Sequence, residues 1–197
     1  MAPPVDFPPE LGQALVALAR QTIAARLGLD VPPASRPAPH QLQDPAVRER
    51  QGVFVTLTIA GRLRGCIGTL SPEQPLVEGV ARQAVNAAFN DHRFPPIAPE
   101  EFPRLEVEVS VLSEPQALPY AEARELVARL RPGIDGVILS LGRHSATFLP
   151  QVWGQLPRPE DFLSHLCLKA GLPATAWRDS PLAVFTYQVR HFSDHLG

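Results

Sequence analysis

Lysine is almost absent from this chain of 197 residues: Lys169 is the only one, and arginine supplies the other 17 of the 18 basic side chains. With abundant alanine and proline, that bias reads as genome composition before it reads as function. Cysteine is as scarce. Cys66 and Cys167 are too few for a disulfide framework and match no zinc-ligand spacing, so no metal and no cofactor is expected. Aromatic residues are 7% of the chain and the net charge is -2, which leaves neither the basic excess nor the stacking surface of a typical nucleic-acid binder. No apolar run reaches the roughly 18 residues of a membrane-spanning helix. Met1 to Glu10 lacks the basic start and apolar run of a signal peptide. A reducing cytoplasm is the expected compartment.

Proline is plentiful, with 23 residues, about twice the usual ~5% share. The prolines punctuate loops and form no single tract. The length suits one domain over residues 1–197, or one domain with two lobes, and hydrophobic residues at 45% suffice for a core. A smaller lobe is drawn at about 71–118.

Periodicity predicts a helix from about Pro9 to Leu27, with Leu11, Leu15, Leu18, Thr22 and Ala25 on its apolar stripe and Gly28 as its stop. Val31 to Pro45 reads as an irregular loop. Val53 to Ile59 alternates as a strand, and Ala60-Gly61 turns it into a second strand, Arg62 to Leu70. Pro75 to Asn90 reads as a helix ended by Asp91-His92-Arg93-Phe94-Pro95-Pro96. Strands are predicted at Leu105–Val111, Gly136–Leu141, Ser145–Leu149 and Ala183–Val189, and helices at about Tyr120–Leu130 and Glu160–Ala170. There is no internal repeat. The mixture predicts an α+β fold, a mixed and largely antiparallel sheet flanked by helices.

The most informative segment is Leu63-Arg64-Gly65-Cys66-Ile67-Gly68-Thr69. Alternation puts Leu63 and Ile67 on one face and Arg64 and Cys66 on the other, unless a bulge intervenes at the glycines. Cys66 is a candidate nucleophile, with Arg64 favouring its thiolate and His92 or His144 as base. Equally, it is a small apolar residue packed in a strand. Cys167, between Leu166 and Leu168, reads as core. Arg64, Gly65, Gly68 and Thr69, with Arg93 nearby, form a candidate anion cradle; a tight strand crossing explains the glycines as well. Arg93 fits either a ligand or the carbonyls of a helix end. Glu106 and Glu108 pair with each other, pair with Arg64 across the sheet, or form a solvated face. His40, His165, His191 and His195 show no metal-ligand grouping.

Taken together, these residues resemble the AMMECR domain family, and within it the bacterial branch called AmmeMemoRadiSam system protein A. The resemblance rests on residues 52–57, Leu63 to Thr69, Asp91 to Pro96 and Ala146 to Trp153, with Leu166 to Leu172 and Trp177 also fitting. It covers about Glu10 to Phe192. It implies an α+β fold with a larger and a smaller lobe, and it implies no particular reaction. It implies action beside a Memo-type protein and a radical S-adenosylmethionine (SAM) enzyme. The family motif maps onto Arg64, Gly65, Cys66, Gly68, Thr69, Asp91, Arg93 and Phe94, while His92 departs from it. Two functions remain open: a catalytic subunit using Cys66 with an anionic small molecule held by Arg64, or a non-catalytic binding or adaptor module for the same system.

Overall fold

The computed structural model describes residues 7–194. The chain begins with α1 (Pro9–Leu27) and the single-turn α2 (Pro45–Arg48), followed by the hairpin β1 (Val53–Ile59) and β2 (Arg62–Thr69). Next come α3 (Leu76–Val85), prolonged by a π turn at Asn86–Asn90, and β3 (Leu105–Leu112). The sequence continues through β4 (Gln116–Ala117), α4 (Ala123–Arg129), β5 (Gly136–Leu141), β6 (His144–Phe148), α5 (Pro159–Lys169) and α6 (Ala176–Asp179). It ends with β7 (Ala183–Tyr187) and β8 (Val189–Ser193). The fold is α+β. Its strands form two four-stranded sheets, ordered β2-β1-β3-β8 and β4-β7-β5-β6, where the sequence suggested one. Among the described residues no helix is long and apolar enough to cross a membrane.

By contacts the chain divides into two compact units, residues 7–112 with 190–194, and residues 113–189. The smaller lobe drawn at about 71–118 does not follow that boundary, because α3 packs on α1 and β1 and so belongs to the larger unit.

In the larger unit one face of the sheet is apolar. Val53, Val55 and Leu57 of β1 meet Leu76, Val80 and Ala84 of α3, while Leu105, Val107, Val109 and Val111 of β3 lie on the same buried face under α1, all at most 1% exposed. Each such side chain contributes about 1.5–3 kcal/mol on burial. Gly28 takes a left-handed conformation at the end of α1, as a stop requires. The buried stripe of α1 is Leu11, Leu15, Ala19 and Ile23, rotated from the expected Leu18, Thr22 and Ala25; Ala25 is exposed. Two neighbouring apolar stripes compete on this alanine-rich helix, and the sheet selects one.

In the smaller unit Val137, Leu139 and Val184 of the sheet pack on Leu126, Phe162, Leu163, Leu166 and Cys167. Trp153 stacks on Phe162 at 3.7 Å between ring centroids, and its indole N–H donates to the Asp135 carbonyl at 2.7 Å.

The predicted strand Ala183–Val189 is two strands. Gln188 separates them: its N–H donates to Ser113 Oγ at 2.9 Å and its carbonyl accepts the Ser113 N–H at 2.9 Å. β7 then stays in the second sheet and β8 joins β3 in the first. Alternation continues through Gln188, so the change of sheet leaves no periodicity signal.

The β1–β2 turn has positive φ at both central residues, 50° at Ala60 and 71° at Gly61. Two-residue hairpins of this kind favour Asn-Gly, and a non-glycine left-handed residue costs about 1–2 kcal/mol. Ala60→Asn should therefore stabilise the protein by about 0.5–1 kcal/mol. An unchanged or lower urea midpoint would contradict that.

Candidate functional site

β2 carries the signature segment, and its register decides where each side chain goes. Val53 pairs with Thr69 and each residue follows in step to Leu57 with Gly65; then the register slips and Thr58 pairs with Leu63. Arg64 is the extra residue of a β-bulge, which re-aims its side chain. The slip also moves Leu63 to the face of Cys66, where it is 44% exposed, so the expected grouping of Leu63 with Ile67 in the core is corrected.

The re-aimed Arg64 is fully occupied. Its Nε and Nη2 donate to the two carboxylate oxygens of Glu101 at 2.7 and 3.0 Å, and Nη1 and Nη2 donate to the carbonyls of Pro95 and Pro96 at 2.8 and 3.3 Å. Its side chain is 13% exposed. The partner is Glu101, not Glu106 or Glu108, because the bulge turns Arg64 off the sheet face on which those two glutamates lie. The Arg64 guanidinium holds the Glu101 carboxyl below its ordinary range.

A second arginine–carboxylate pair sits two residues along β2. Asp91 is 3% exposed. Its Oδ1 accepts the backbone N–H and Nε of Arg93 at 3.2 and 2.9 Å, and its Oδ2 accepts Nη2 of Arg93 at 2.7 Å and the Cys66 N–H at 2.9 Å. Arg93 Nη2 also donates to the Cys66 carbonyl at 3.0 Å. β2 is the outer strand of its sheet, so these two side chains satisfy at Cys66 the backbone groups that a further strand would have satisfied. Arg93 bonding, reinforced by the two backbone N–H groups, holds the Asp91 carboxyl well below the carboxylate range against the opposing effect of burial. The two pairs together fasten the segment 91–101 along β2.

The glycines are filled from within. A Cβ at Gly65 would lie 2.1 Å from the Ala87 carbonyl oxygen in the π turn, and one at Gly68 would lie 2.3 Å from the Phe54 ring. Thr69 Oγ1 closes a turn with Ser71, donating to its carbonyl at 3.1 Å and accepting its N–H at 3.2 Å. Of the expected cradle, Arg64, Gly65, Gly68 and Thr69 thus hold the fold together, and Arg93 does so in part. Arg93 is 47% exposed and lies over the Phe94 ring at 5.5 Å, and its Nη1 makes no hydrogen bond among the described residues.

Cys66 is partly exposed. Its Sγ lies 3.3 Å from Thr56 Oγ1, the residue directly opposite on β1. Thr56 in turn stands opposite Glu108 on β3. On the same sheet face Thr58 donates to Glu106 at 2.9 Å, and His191 Nδ1 lies 3.0 Å from Ser110 Oγ and 3.2 Å from Glu108 Oε1. Among the described residues the hydrogen-bond partner of the thiol is Thr56. His92 is exposed, and His144 Nδ1 is bonded to the Ala170 carbonyl at 3.0 Å. His191 lies on β8, three strand spacings or about 14 Å from β2. Among the described residues no three His, Cys, Asp or Glu side chains gather as metal ligands, and His195 lies outside those residues.

Sequence reading missed Glu101 and Thr56. Thr56 becomes visible only once the register is known. Glu101 has no signal, since its partner is chosen by the bulge.

The two cysteines contrast. Cys167 is 0% exposed in the apolar core of the smaller unit, and burial pushes its thiol pKa up. Cys167→Ser should cost about 1–3 kcal/mol for the buried hydroxyl, and Cys66→Ser less, because Thr56 can bond the new hydroxyl. Thermal melts in which Cys66→Ser falls further would make Cys66 the more structural of the two.

A two-sheet α+β chain with this clasped hairpin defines a class, and comparison gives its family. The AMMECR1 family model matches residues 16–192, so the chain belongs to the AMMECR1 family. A protein of Methanothermobacter thermautotrophicus is 39% identical over 186 residues, covering 93% of this chain and 94% of that one. Protein Mbar_A1807 of Methanosarcina barkeri is 40% identical over 167 residues, covering 84% and 82%. The crystal structure of uncharacterized protein PH0010 from Pyrococcus horikoshii is similar with a TM-score of 0.78 at 36% identity, covering 94% of this chain and 92% of that one. These three relatives are archaeal, whereas the sequence had suggested the bacterial branch.

Proposed function

We propose that the chain is a non-catalytic binding module whose recognition point is the open edge of the clasp at Cys66 and Arg93. One observation carries this reading. Arg93 is held rigid by Asp91 and the Cys66 carbonyl, yet keeps Nη1 and half of its side-chain surface for a ligand. The ligand class is a small anion that accepts hydrogen bonds from a fixed guanidinium edge. Asp91 neutralises the pair, so affinity comes from geometry more than from net charge. A neighbouring base would raise the reactivity of a thiol nucleophile; among the described residues the Cys66 thiol bonds Thr56, and His191 is engaged by Ser110 and Glu108.

Small molecules captured from cell extract by the purified protein test the reading, with Arg93→Lys as comparison. Lysine keeps the charge and loses the fork. Capture of an anion by the natural protein and its loss in Arg93→Lys support the proposal. No capture, or equal capture by both, contradicts it. A Memo-type protein and a radical SAM enzyme, implied by the family resemblance, are the proposed recipients. Co-elution of the purified proteins tests that separately, and elution apart would remove them.

A further inference from the structure

The second sheet has an edge covered by one side chain. β6 is its last strand and packs on β5 and α5. Gly142 and Arg143 form a two-residue turn, with φ of 60° at Gly142, and the pair Leu141–His144 closes the hairpin. In that register Leu139 pairs with Ala146 and Val137 with Phe148, so the backbone N–H and C=O groups of Ser145 and Thr147 turn away from β5. The Thr147 carbonyl agrees, because Lys169 Nζ on α5 donates to it at 2.9 Å. The Ser145 N–H, the Ser145 carbonyl and the Thr147 N–H make no hydrogen bond among the described residues.

An unpaired edge is a template for another strand, and proteins blunt it by shortness, charge or cover. In the first sheet the Asp91–Arg93 clasp closes β2 at Cys66, and β4, at the opposite edge of the second sheet, has two residues. β6 has five, with no proline, and His144 and Ser145 are exposed. Its cover is Lys169, the one lysine of the chain, which also lies 5.1 Å from the Phe148 ring centroid. That cover is an ammonium on a flexible stem, and rotamer changes lift it without disturbing the sheet. Arg143 in the turn and Lys169 at Thr147 place positive charge at both ends of this edge, and no carboxylate is bonded to either among the described residues.

We propose that β6 is a docking edge for an extended acidic segment of a partner protein, which adds a fifth strand to the second sheet. The segment pairs its backbone with Ser145 and Thr147. One of its N–H groups replaces the Lys169 ammonium on the Thr147 carbonyl, and the freed ammonium takes a carboxylate of the segment. The selection is local: the whole chain carries a net charge of -2, which by itself favours a basic strand.

The test is titration of the full chain with a fluorescent hexapeptide of alternating valine and glutamate, against one of alternating valine and lysine. Saturable binding of the glutamate peptide is expected, at least about tenfold tighter than the lysine peptide, with hydrogen exchange at the Ser145 and Thr147 amides slowed by about tenfold or more. Lys169→Glu, at an exposed position, should reverse the preference. Ser145→Pro removes one outward N–H at a place where an edge strand tolerates proline, and it should abolish binding with unchanged circular dichroism. Exchange in the natural protein decides the matter should that variant misfold. No saturable binding, equal binding of the two peptides, a preference that survives Lys169→Glu, or unchanged exchange at Ser145 and Thr147 overturns the proposal. So does a dimer in which β6 of one copy pairs with β6 of another.

Discussion

Gly65→Ala is expected to be the most damaging single methyl group that can be added to this protein, costing about 3 kcal/mol or more. The new Cβ would stand 2.1 Å from the Ala87 carbonyl oxygen and 3.0 Å from its carbonyl carbon. Both obstacles are backbone, so no rotamer change relieves them. Either the π turn at Asn86–Asn90 or β2 itself must move, and β2 is held at both ends of the clash by Arg64 and by the Asp91–Arg93 clasp. Gly154→Ala is the matched control. Nothing lies within 4 Å of its added Cβ, and its stability should change by no more than about 0.5 kcal/mol. Urea unfolding of the two variants decides the matter. A Gly65→Ala loss as small as that of Gly154→Ala would mean that the turn and the strand separate easily.

Asp91→Asn should cost about 3 kcal/mol, although it is nearly isosteric. Each carboxylate oxygen accepts two donors: Arg93 N and Nε on Oδ1, and Cys66 N and Arg93 Nη2 on Oδ2. Whichever way the new amide turns, its NH2 faces donors and leaves them unpaired. The effect has a defined pH dependence. Because the folded-state pKa of Asp91 is lowered from 3.8, its contribution is complete above that value and is lost as pH falls below it. The stability difference between natural protein and Asp91→Asn should hold constant near neutrality. Below about pH 4 it should narrow by up to about 1.4 kcal/mol per pH unit. A difference that widens with acid would show that the carboxylate is not the ionised partner described here.

How far the sequence could be read depends on which force set each feature. α1 with its Gly28 stop, β1, α5 and the β5–β6 hairpin follow from local periodicity and turn chemistry, and they lie within a residue or two of expectation. The segment 63–69 was legible as unusual, yet its geometry was not. A one-residue slip at Arg64 reverses faces, and no pattern in seven residues announces it. Arg64 accordingly turned out to be a fastening for Glu101 and two proline carbonyls, where its charge had suggested a ligand. Asp91 and Arg93 were singled out as a helix end, while their bonding to the Cys66 backbone depends on β2 lying at the edge of its sheet, a tertiary fact. β4, two residues long, and β8 were missed because pairing alone defines them.

The placement of β8 bears on how the protein is made. The first sheet takes three strands from residues before 113 and its fourth from residues 189–193, with the whole of 113–189 between them. On the ribosome β3 must therefore wait as an open edge while some 75 further residues are synthesised, at about 5–20 residues per second. For several seconds the larger unit is a three-stranded platform with an unpaired border, a state that invites mispairing and chaperone capture. A nascent chain stalled before Val189 should be protease-sensitive in residues 7–112. Release of the last strand should bring protection to both ends of the sequence at once.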